Sequence, residues 1–512
     1  MYQNPRNPQQ TELEFVDFET PFSRQLRKDN RWVRLSNVIP WSEYEPVYQD
    51  RFGSTGNPAI AFRVALGSLV IKERLGLTDR ETVEQIRENP YLQYFIGFDR
   101  YRDEEPFDAS SMVHFRKRID MGLLVELNER LCGVRKDPTQ EQDCKKRDDD
   151  DASGTGSVSE GKIPPATSEE QPPALLGKLI IDATCAPEDI RYPTDVGILN
   201  EAREITELLI DKLWDAGPHS TSERKPRSYR RKARSAYLSF IRHRRPNWRR
   251  IRKALRRQLG FVGRNLKTIS ALVEAGSLSA LDQCTYRKLL IVAEVYRQQS
   301  VLYGQGLLGE RRSMPDRIVS ISKPHIRPII RGKASAETEF GSKLSVSVIE
   351  GKAYLDRLSW DAYNEGGDLK VQAEAFHRRT GHYPVSIHAD KVYRTRDNLG
   401  WCKARGIRLS GPALGRPPAN ETICKAVLRE QRQDEITRIE IEGVFGRAKR
   451  RFSLDKIMMR LRETSEHAIA LVFLVMNMEK ILRDLFCRLF WCAFVRWNQS
   501  GGMLIRAKIC LG

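Results

Sequence analysis

Residues 175–185 read LLGKLIIDATC, a short apolar run whose hydrophobic part ends at the carboxylate of Asp182. Continuous apolar runs of this length are typical of a central strand that is buried on both faces of a sheet. A second run of the same kind, YPVSIHAD at residues 383–390, ends at Asp390. The two runs predict two buried strands of one sheet, each with a carboxylate at its end.

The chain between these strands predicts a hairpin and a helix. In KLSVSVIEGKAYLDRLSW, residues 343–360, apolar side chains alternate from Leu344 to Val348 before a turn at Glu350-Gly351. Residues 361–380 then have helical periodicity, and a further helix is predicted near 434–452. Strand, hairpin, helix and strand in this order indicate an α/β domain with a mixed sheet.

Residues 196–312 interrupt this order with a helical segment of strong positive charge. Between Arg224 and Arg257 there are 16 Lys and Arg and no Asp or Glu, against a net charge of +19 for the chain. A solvated charged face usually carries acidic neighbours too, so a phosphate backbone explains the run better, especially since aromatic residues are interleaved. We expect nucleic acid to contact basic side chains of this run, among them Arg230, Arg231, Lys232, Arg244, Arg245, Arg249 and Arg250.

The first 135 residues predict an all-α region. Residues 57–97 indicate two helices joined by a short turn, with Thr78 or Asp79 as the N-cap ahead of Glu81. Such a pair is compatible with a DNA-reading helix-turn-helix and with a packing or dimerising helical domain. Residues 136–173 have almost no large apolar side chains and predict a disordered linker.

Composition argues against several classes of protein. A chain of 512 residues is long enough for roughly two to four domains of about 100–200 residues. Its nine cysteines are scattered without a CxxC pair, which argues against a disulfide scaffold or a zinc site. The N-terminus is polar, and the longest apolar stretch, residues 468–476, is too short to cross a membrane. We therefore expect a cytoplasmic protein.

The strand-end carboxylates indicate chemistry. Neighbouring strand ends can bring Asp182 and Asp390 to one divalent cation, which would offset the repulsion between them. Hard oxygen ligands suit Mg²⁺ or Mn²⁺. A carboxylate at a strand end is also often a simple turn residue, so this pattern alone leaves the metal site open.

A polar stripe on the helix near 434–452 supplies further candidates. At about 100° per residue, Arg438 lies about 40° from Glu442 and Lys449 about 20° from it, while Glu440 lies about 160° away. A surface salt-bridge ladder would have the same spacing. The helical phase nevertheless selects Glu442 over Glu440 as the carboxylate that could join the two at the strand ends.

These motifs resemble, in the same order, those of the DDE transposases of bacterial insertion sequences. The first-Asp motif is similar to residues 179–204, the second-Asp motif to HADKVYRTRDN, and the terminal Arg-x3-Glu-x6-Lys motif to RIEIEGVFGRAKRRF. YNEGGDL stands before the connecting helix, and GNPAIAFRVALGSLVIKERLGLTD resembles part of the N-terminal helical domain. The resemblance covers most of the chain.

The resemblance implies an RNase-H-like catalytic domain, interrupted by the basic helical insertion, and an all-α N-terminal domain. In this family Asp182, Asp390 and Glu442 would bind Mg²⁺ or Mn²⁺ and form the catalytic triad. Arg438 and Lys449 would contact DNA phosphate near the scissile bond. Related transposases have a Tyr three residues before that Arg, and here the position is a glutamate.

The implied organisation follows the composition boundaries. It consists of an N-terminal helical DNA-binding domain at 1–135, a linker at 136–173, catalytic parts at 174–195 and 313–490, the insertion at 196–312 and a tail at 491–512. The expected partners are the double-stranded DNA of the element ends and target, in the nucleoid of a prokaryotic cell. Because two ends are joined, the resemblance implies a homodimer or larger assembly.

The expected activity is binding of terminal inverted repeats, Mg²⁺-dependent strand cleavage and strand transfer. Two metal ions would activate a water and stabilise the leaving 3′ oxygen. A metal-dependent nuclease without strand transfer and a transposase-derived DNA-binding protein without catalysis are the alternatives. A peripheral membrane protein is the least favoured, because no strongly amphipathic helix accompanies the basic run.

Overall fold

The computed structural model describes residues 18–20, 25–53, 59–134, 175–217, 224–310, 314–330, 338–411 and 421–509. The predicted linker at 136–173 lies outside the described residues. None of the described helices combines the length and the apolar character that crossing a membrane requires.

The described part of the N-terminal region forms seven helices: α1 (Arg31–Ser36), α2 (Trp41–Gln49), α3 (Phe62–Leu75), α4 (Asp79–Glu88), α5 (Pro90–Phe95), α6 (Ser111–Arg118) and α7 (Met121–Leu131). The predicted N-cap is confirmed, since Thr78 and Glu81 form a capping box at the start of α4. The prediction of one helix after this turn was wrong. Asn89 ends α4 and caps α5, because Pro90 has no N–H to continue the first helix and is well suited to begin the second.

Among the described residues, six strands form a mixed sheet: β1 (Lys178–Pro187), β2 (Arg327–Ile330), β3 (Thr338–Ile349), β4 (Lys352–Ser359), β5 (Ser386–His388) and β6 (Arg408–Leu409). The order along the sheet is β2-β3-β1-β5-β6, and β4 pairs with β3. β1 is antiparallel to β3 and parallel to β5. The predicted hairpin is confirmed as β3–β4, whose turn residues Glu350 and Gly351 both have positive φ, 52° and 78°.

The prediction that the first strand ends at Asp182 was wrong, because β1 continues to Pro187. Its pairing with β3 extends from Ile180↔Val348 to Pro187↔Gly341. Gly341 allows this close approach, since a Cβ there would lie 2.0 Å from the carbonyl oxygen of Ala186. Asp182 is therefore a mid-strand residue, opposite Val346.

The region that we predicted to be a basic insertion contains four α-helices in its described part: α8 (Asp195–Ala216), α9 (Arg230–Ile241), α10 (Trp248–Glu274) and α11 (Gln283–Leu308). The buried positions of α10 recur every three or four residues, at Leu255, Gln258, Val262, Asn265, Ile269 and Leu272. This spacing turns one face of α10 toward the neighbouring helices and leaves its arginines on the opposite face.

Where the chain after the hairpin is described, it forms four further α-helices: α12 (Leu369–Thr380), α13 (Arg396–Ala404), α14 (Glu421–Arg451) and α15 (Arg462–Ile509). The helix that we predicted near 434–452 therefore begins earlier, at Glu421, and α15 continues through the predicted boundary at residue 490.

The N-terminal helices and the sheet share one hydrophobic core, with α15 between them. Asn477 of α15 binds both backbone groups of Ala353 in β4 and the side chain of Asn128 in α7. Arg379 of α12 likewise donates to Glu129 of α7 and to Asp356 of β4. The helical region is thus fixed against the edge of the sheet.

Candidate active site

The parallel pairing of β1 and β5 brings Asp182 and Asp390 to the same part of the sheet. Ile180 of β1 pairs with His388 of β5. Asp182 and Asp390 each come two residues after this pair, so they occupy equivalent positions along the two parallel segments. Asp390 caps the turn at Lys391–Tyr393, with its Oδ1 2.7 Å from the backbone N–H of Lys391. This bond fixes the carboxylate at the end of β5.

α14 packs against this part of the sheet through Ile441, Val444 and Ala448, which are fully buried. The stripe of Arg438 and Glu442 lies beside this buried face. Nη1 of Arg438 is 2.8 Å from Oδ1 of Asp390, and its Nη2 is 3.3 Å from Oε1 of Glu442. One guanidinium therefore links the second and third carboxylates that the sequence singled out.

The carboxyl group of Asp182 has a shifted pKa. Burial raises its pKa to about 6, against the opposing effects of the Ala183 backbone N–H and of Arg438. The charges of Glu365 and Asp390 raise it further. A buried carboxylate among other carboxylates is stabilised by a nearby cation, and Arg438 supplies the positive charge in this structure.

The donor set has the chemistry that a divalent cation requires, since all three groups offer hard carboxylate oxygens. In the part of the chain that the structure describes, however, no three acidic, His or Cys side chains are close enough together to hold a metal ion. Asp390 and Glu442 point instead to the Arg438 guanidinium. The donor set therefore fits a metal, but the present side-chain positions do not form the binding site.

The sequence patterns do not predict the hydrogen-bonded network behind Asp182. The buried Asp368 accepts hydrogen bonds from Ser345 of β3 and, at 2.7 Å, from Arg357 of β4. Tyr363 lies 2.8 Å from the Ser345 hydroxyl, with the Arg357 guanidinium 3.9 Å above its ring. The one signal in the sequence is YNEGGDL, residues 363–369, which precedes a predicted helix but does not by itself indicate these contacts.

Tyr393 is a second residue that the sequence patterns do not single out. It is fully buried, and its hydroxyl has no hydrogen-bond partner among the described residues. Burial raises its pKa, and so do the charges of Glu365 and Asp182. The phenol therefore stays neutral and is a potential hydrogen-bond donor beside the acidic cluster.

His388 has a structural environment. Its Nε2 lies 3.0 Å from the Ser386 hydroxyl, and its Nδ1 lies 3.3 Å from a carboxylate oxygen of Asp434, which Arg408 also binds. Burial lowers the pKa of His388, although Asp434 opposes this. A neutral, hydrogen-bonded imidazole is what we expect of a histidine that supports the sheet edge.

Most of the basic residues singled out on the insertion are exposed, and they form no ion pair with any described carboxylate: Arg231, Lys232, Arg244, Arg245, Arg249 and Arg250. Arg230 differs from them. Its guanidinium donates to the carboxylate of Asp211 and, at 2.7 Å, to the carbonyl of Glu207, both on α8. Arg230 thus joins α9 to α8, while the others face solvent. Lys449 is half-buried on α14.

Comparison with known proteins gives two family matches. Residues 387–479, which include Asp390 and Glu442, match the model of a Transposase DDE domain, and residues 20–118 match a Transposase domain (DUF772). Asp182 lies outside both matched ranges.

A curated relative also matches. The chain is 32% identical over 163 residues to the "Uncharacterized protein ORF8 in nfe locus" of Rhizobium meliloti, over 32% of this chain and 64% of the relative. The match thus spans less than two thirds of the relative's length, and no solved structure matches the chain. A DDE domain implies an RNase-H-like fold, with which the mixed sheet and its flanking helices agree. The two domain matches together support an insertion-sequence DDE transposase.

Proposed function

We propose that this protein binds the terminal inverted repeats of an insertion sequence and catalyses metal-dependent strand cleavage and strand transfer. The observation that carries the proposal is the charge cluster around Arg438, which binds Asp390 and Glu442 and acts electrostatically on Asp182. A cluster of carboxylates beside a helical stripe of basic residues would be costly in a protein that only binds DNA, because carboxylates repel the phosphate backbone.

Asp182, Asp390 and Glu442 would hold Mg²⁺ or Mn²⁺. When bound, the metal would supply activation of a water and stabilisation of the leaving 3′ oxygen. Metal binding by these residues requires Arg438 to release the two carboxylates that it contacts. The freed guanidinium, with Lys449 on the same stripe, would then bind phosphate next to the scissile bond.

We assign further DNA contacts to the N-terminal helical domain at 1–135 and to the insertion at 196–312. Exposed arginines of α9 and α10, among them Arg231, Arg249 and Arg250, support the second assignment, because they form no ion pair with a described carboxylate. The catalytic domain would consist of 174–195 and 313–490, and it would act as a homodimer or larger assembly in the prokaryotic nucleoid.

The test is cleavage of DNA that carries the repeats flanking the gene, in Mg²⁺ and in Mn²⁺. Wild type should cut at the repeat ends, and Asp182→Asn, Asp390→Asn and Glu442→Gln should each bind the same DNA without cutting it. Glu440→Gln is the matched control, because it lies on the same helix about 160° away from the stripe.

The outcomes separate the alternatives. Cutting followed by joining of the 3′ ends to target DNA supports the transposase. Cutting by wild type without joining under any metal condition would indicate a nuclease. Specific binding by wild type and all variants, with no cutting by any of them, would overturn the catalytic proposal and leave a DNA-binding protein.

A further inference from the structure

A cationic pocket lies where the N-terminal helices meet α14 and α15. It has a volume of about 370 Å³. Five arginines from four helices line it: Arg31 and Arg34 of α1, Arg74 of α3, Arg451 at the end of α14, and Arg483 of α15. The two acidic residues that line it are Asp29 and Glu479.

The acidic residues do not balance the arginines. Asp29 is bound to Arg27 outside the pocket, at 2.8 Å. Glu479 is shared by Arg74 and Arg451, at 3.3 and 2.8 Å. The remaining three arginines of the pocket form no ion pair with a described carboxylate: Arg31, Arg34 and Arg483.

Arg74 is held at the base of the pocket. Its side chain is only 7% exposed, and its guanidinium lies 4.8 Å from the centre of the Trp32 ring. Its Nη1 is buried and has no hydrogen-bond partner among the described residues. A buried guanidinium N–H without an acceptor is costly, so this group is suited to donate to an anionic ligand in the pocket.

We propose that this pocket binds backbone phosphates of DNA. This inference rests on the proposed function, because it takes DNA as the ligand of the protein. Planar guanidinium groups that converge from several helices are suited to phosphate oxygens. Each phosphate would supply acceptors for Arg74 and for the arginines that lack a carboxylate.

The spread of charge around the pocket favours DNA over a small free anion, because the five arginines come from four helices and only two acidic residues line the pocket. Arg451 is nine residues beyond Glu442 on the same helix, about 13 Å along its axis. This distance is about four base-pair steps of B-DNA. At about 100° per residue Arg451 also lies about 180° around α14 from Glu442, so the pocket opens on a different face of the helix from Glu442. DNA bound in the pocket would therefore make a contact separate from the one at the scissile phosphate.

The experiment measures how the affinity for element-end DNA and for unrelated duplex DNA depends on salt. Each phosphate contact contributes about 0.9 to the slope of log K against log salt concentration. Arg34→Gln/Arg483→Gln should reduce this slope by about 2 on both DNAs. Arg34→Lys/Arg483→Lys should retain most of the slope, because the charges remain. Arg378→Gln, an exposed arginine on α12, is the control for loss of one charge elsewhere.

The other outcomes are decisive as well. If wild type binds neither DNA, the proposed function fails and this inference fails with it. If wild type binds DNA and the folded glutamine variant keeps the same slope, the pocket does not contact DNA, although the proposed function stands. Thermal stabilisation by inorganic pyrophosphate that the glutamine variant loses, with an unchanged DNA slope, would assign the pocket to a small anion and overturn the inference. Circular dichroism establishes that the glutamine variant is folded. The lysine variant is the control for substitution at the same two positions with the charges kept.

Discussion

The Arg438 guanidinium bridges Asp390 and Glu442, with contacts of 2.8 and 3.3 Å to the two carboxylates. Burial lowers the pKa of Arg438, but the charges of these two carboxylates and of Asp182 more than offset this effect and raise the pKa. The guanidinium thus neutralises the cluster in the same place where a metal would do so. Arg438 should therefore hold the carboxylates together in the free protein and compete with a cation for them.

This competition predicts effects of opposite sign in one variant. Arg438→Gln should raise the affinity for Mn²⁺ about two- to fivefold, because no partly exposed ion pair has to be broken. The same variant should cleave DNA at least about 100-fold more slowly, because a guanidinium that stabilises the reacting phosphate is lost. Calorimetric titration with Mn²⁺ and single-turnover cleavage measure the two effects. Arg432→Gln, an exposed arginine of α14, should change neither. A weaker affinity for Mn²⁺ in Arg438→Gln would show that Arg438 does not compete with the metal.

The raised pKa of Asp182 predicts how stability depends on pH. In the folded, metal-free protein this carboxyl has a pKa of about 6, mainly because it is buried, whereas an unfolded aspartate titrates near 3.9. The folded state therefore binds the proton more tightly, and ionising Asp182 destabilises the fold as pH rises from about 4 to 6. Asp182→Asn should gain on the order of 2–3 kcal/mol relative to wild type between pH 4 and pH 7. Chemical unfolding in EDTA measures this difference, and a constant difference across that range would contradict it.

The places of Asp182, Asp390 and Glu442 near one another in the fold could be predicted because each depends on a local pattern. The apolar runs located β1 and β5, and the helical phase selected Glu442 over Glu440. Glu442 does bind Arg438, as expected for two side chains that lie four residues apart on one face of a helix. The DDE domain match independently covers Asp390 and Glu442.

The rest depends on contacts between distant parts of the chain. The strand boundary at Asp182 was misplaced because the length of β1 is set by pairing with β3 through Gly341, about 150 residues further along. The network of Ser345 and Asp368 combines a strand with the start of a helix. The different surroundings of Arg230 could not be seen within a uniform basic run, because its partners lie on α8.

The surroundings of Arg230 predict a difference within the basic run. Arg230→Gln should leave the salt dependence of DNA binding nearly unchanged, because this guanidinium is already bound to Asp211 and to the carbonyl of Glu207. It should instead lower the free energy of unfolding by about 0.5–1 kcal/mol, as expected for a partly exposed pair. Arg249→Gln, at an exposed position of α10, should reduce the salt slope by about 0.9 and leave stability unchanged. If Arg230→Gln reduces the salt slope by as much as Arg249→Gln does, Arg230 leaves α8 to bind DNA.

The junction of the N-terminal helices, the sheet and α15 predicts a graded loss of stability. Asn477, 2% exposed, accepts the N–H of Ala353 at 2.9 Å and donates to the Ala353 carbonyl and to Asn128 at 2.7 and 2.8 Å. Asn477→Ala would leave the buried Ala353 N–H without an acceptor, and it should lower the free energy of unfolding by about 2–4 kcal/mol. Asn128→Ala should cost about half as much, because Asn477 still satisfies both backbone groups. Since both residues belong to one network, the double variant should lose less than the sum of the single losses. Urea unfolding of the three variants measures these values, and additive losses would show that the two side chains act independently.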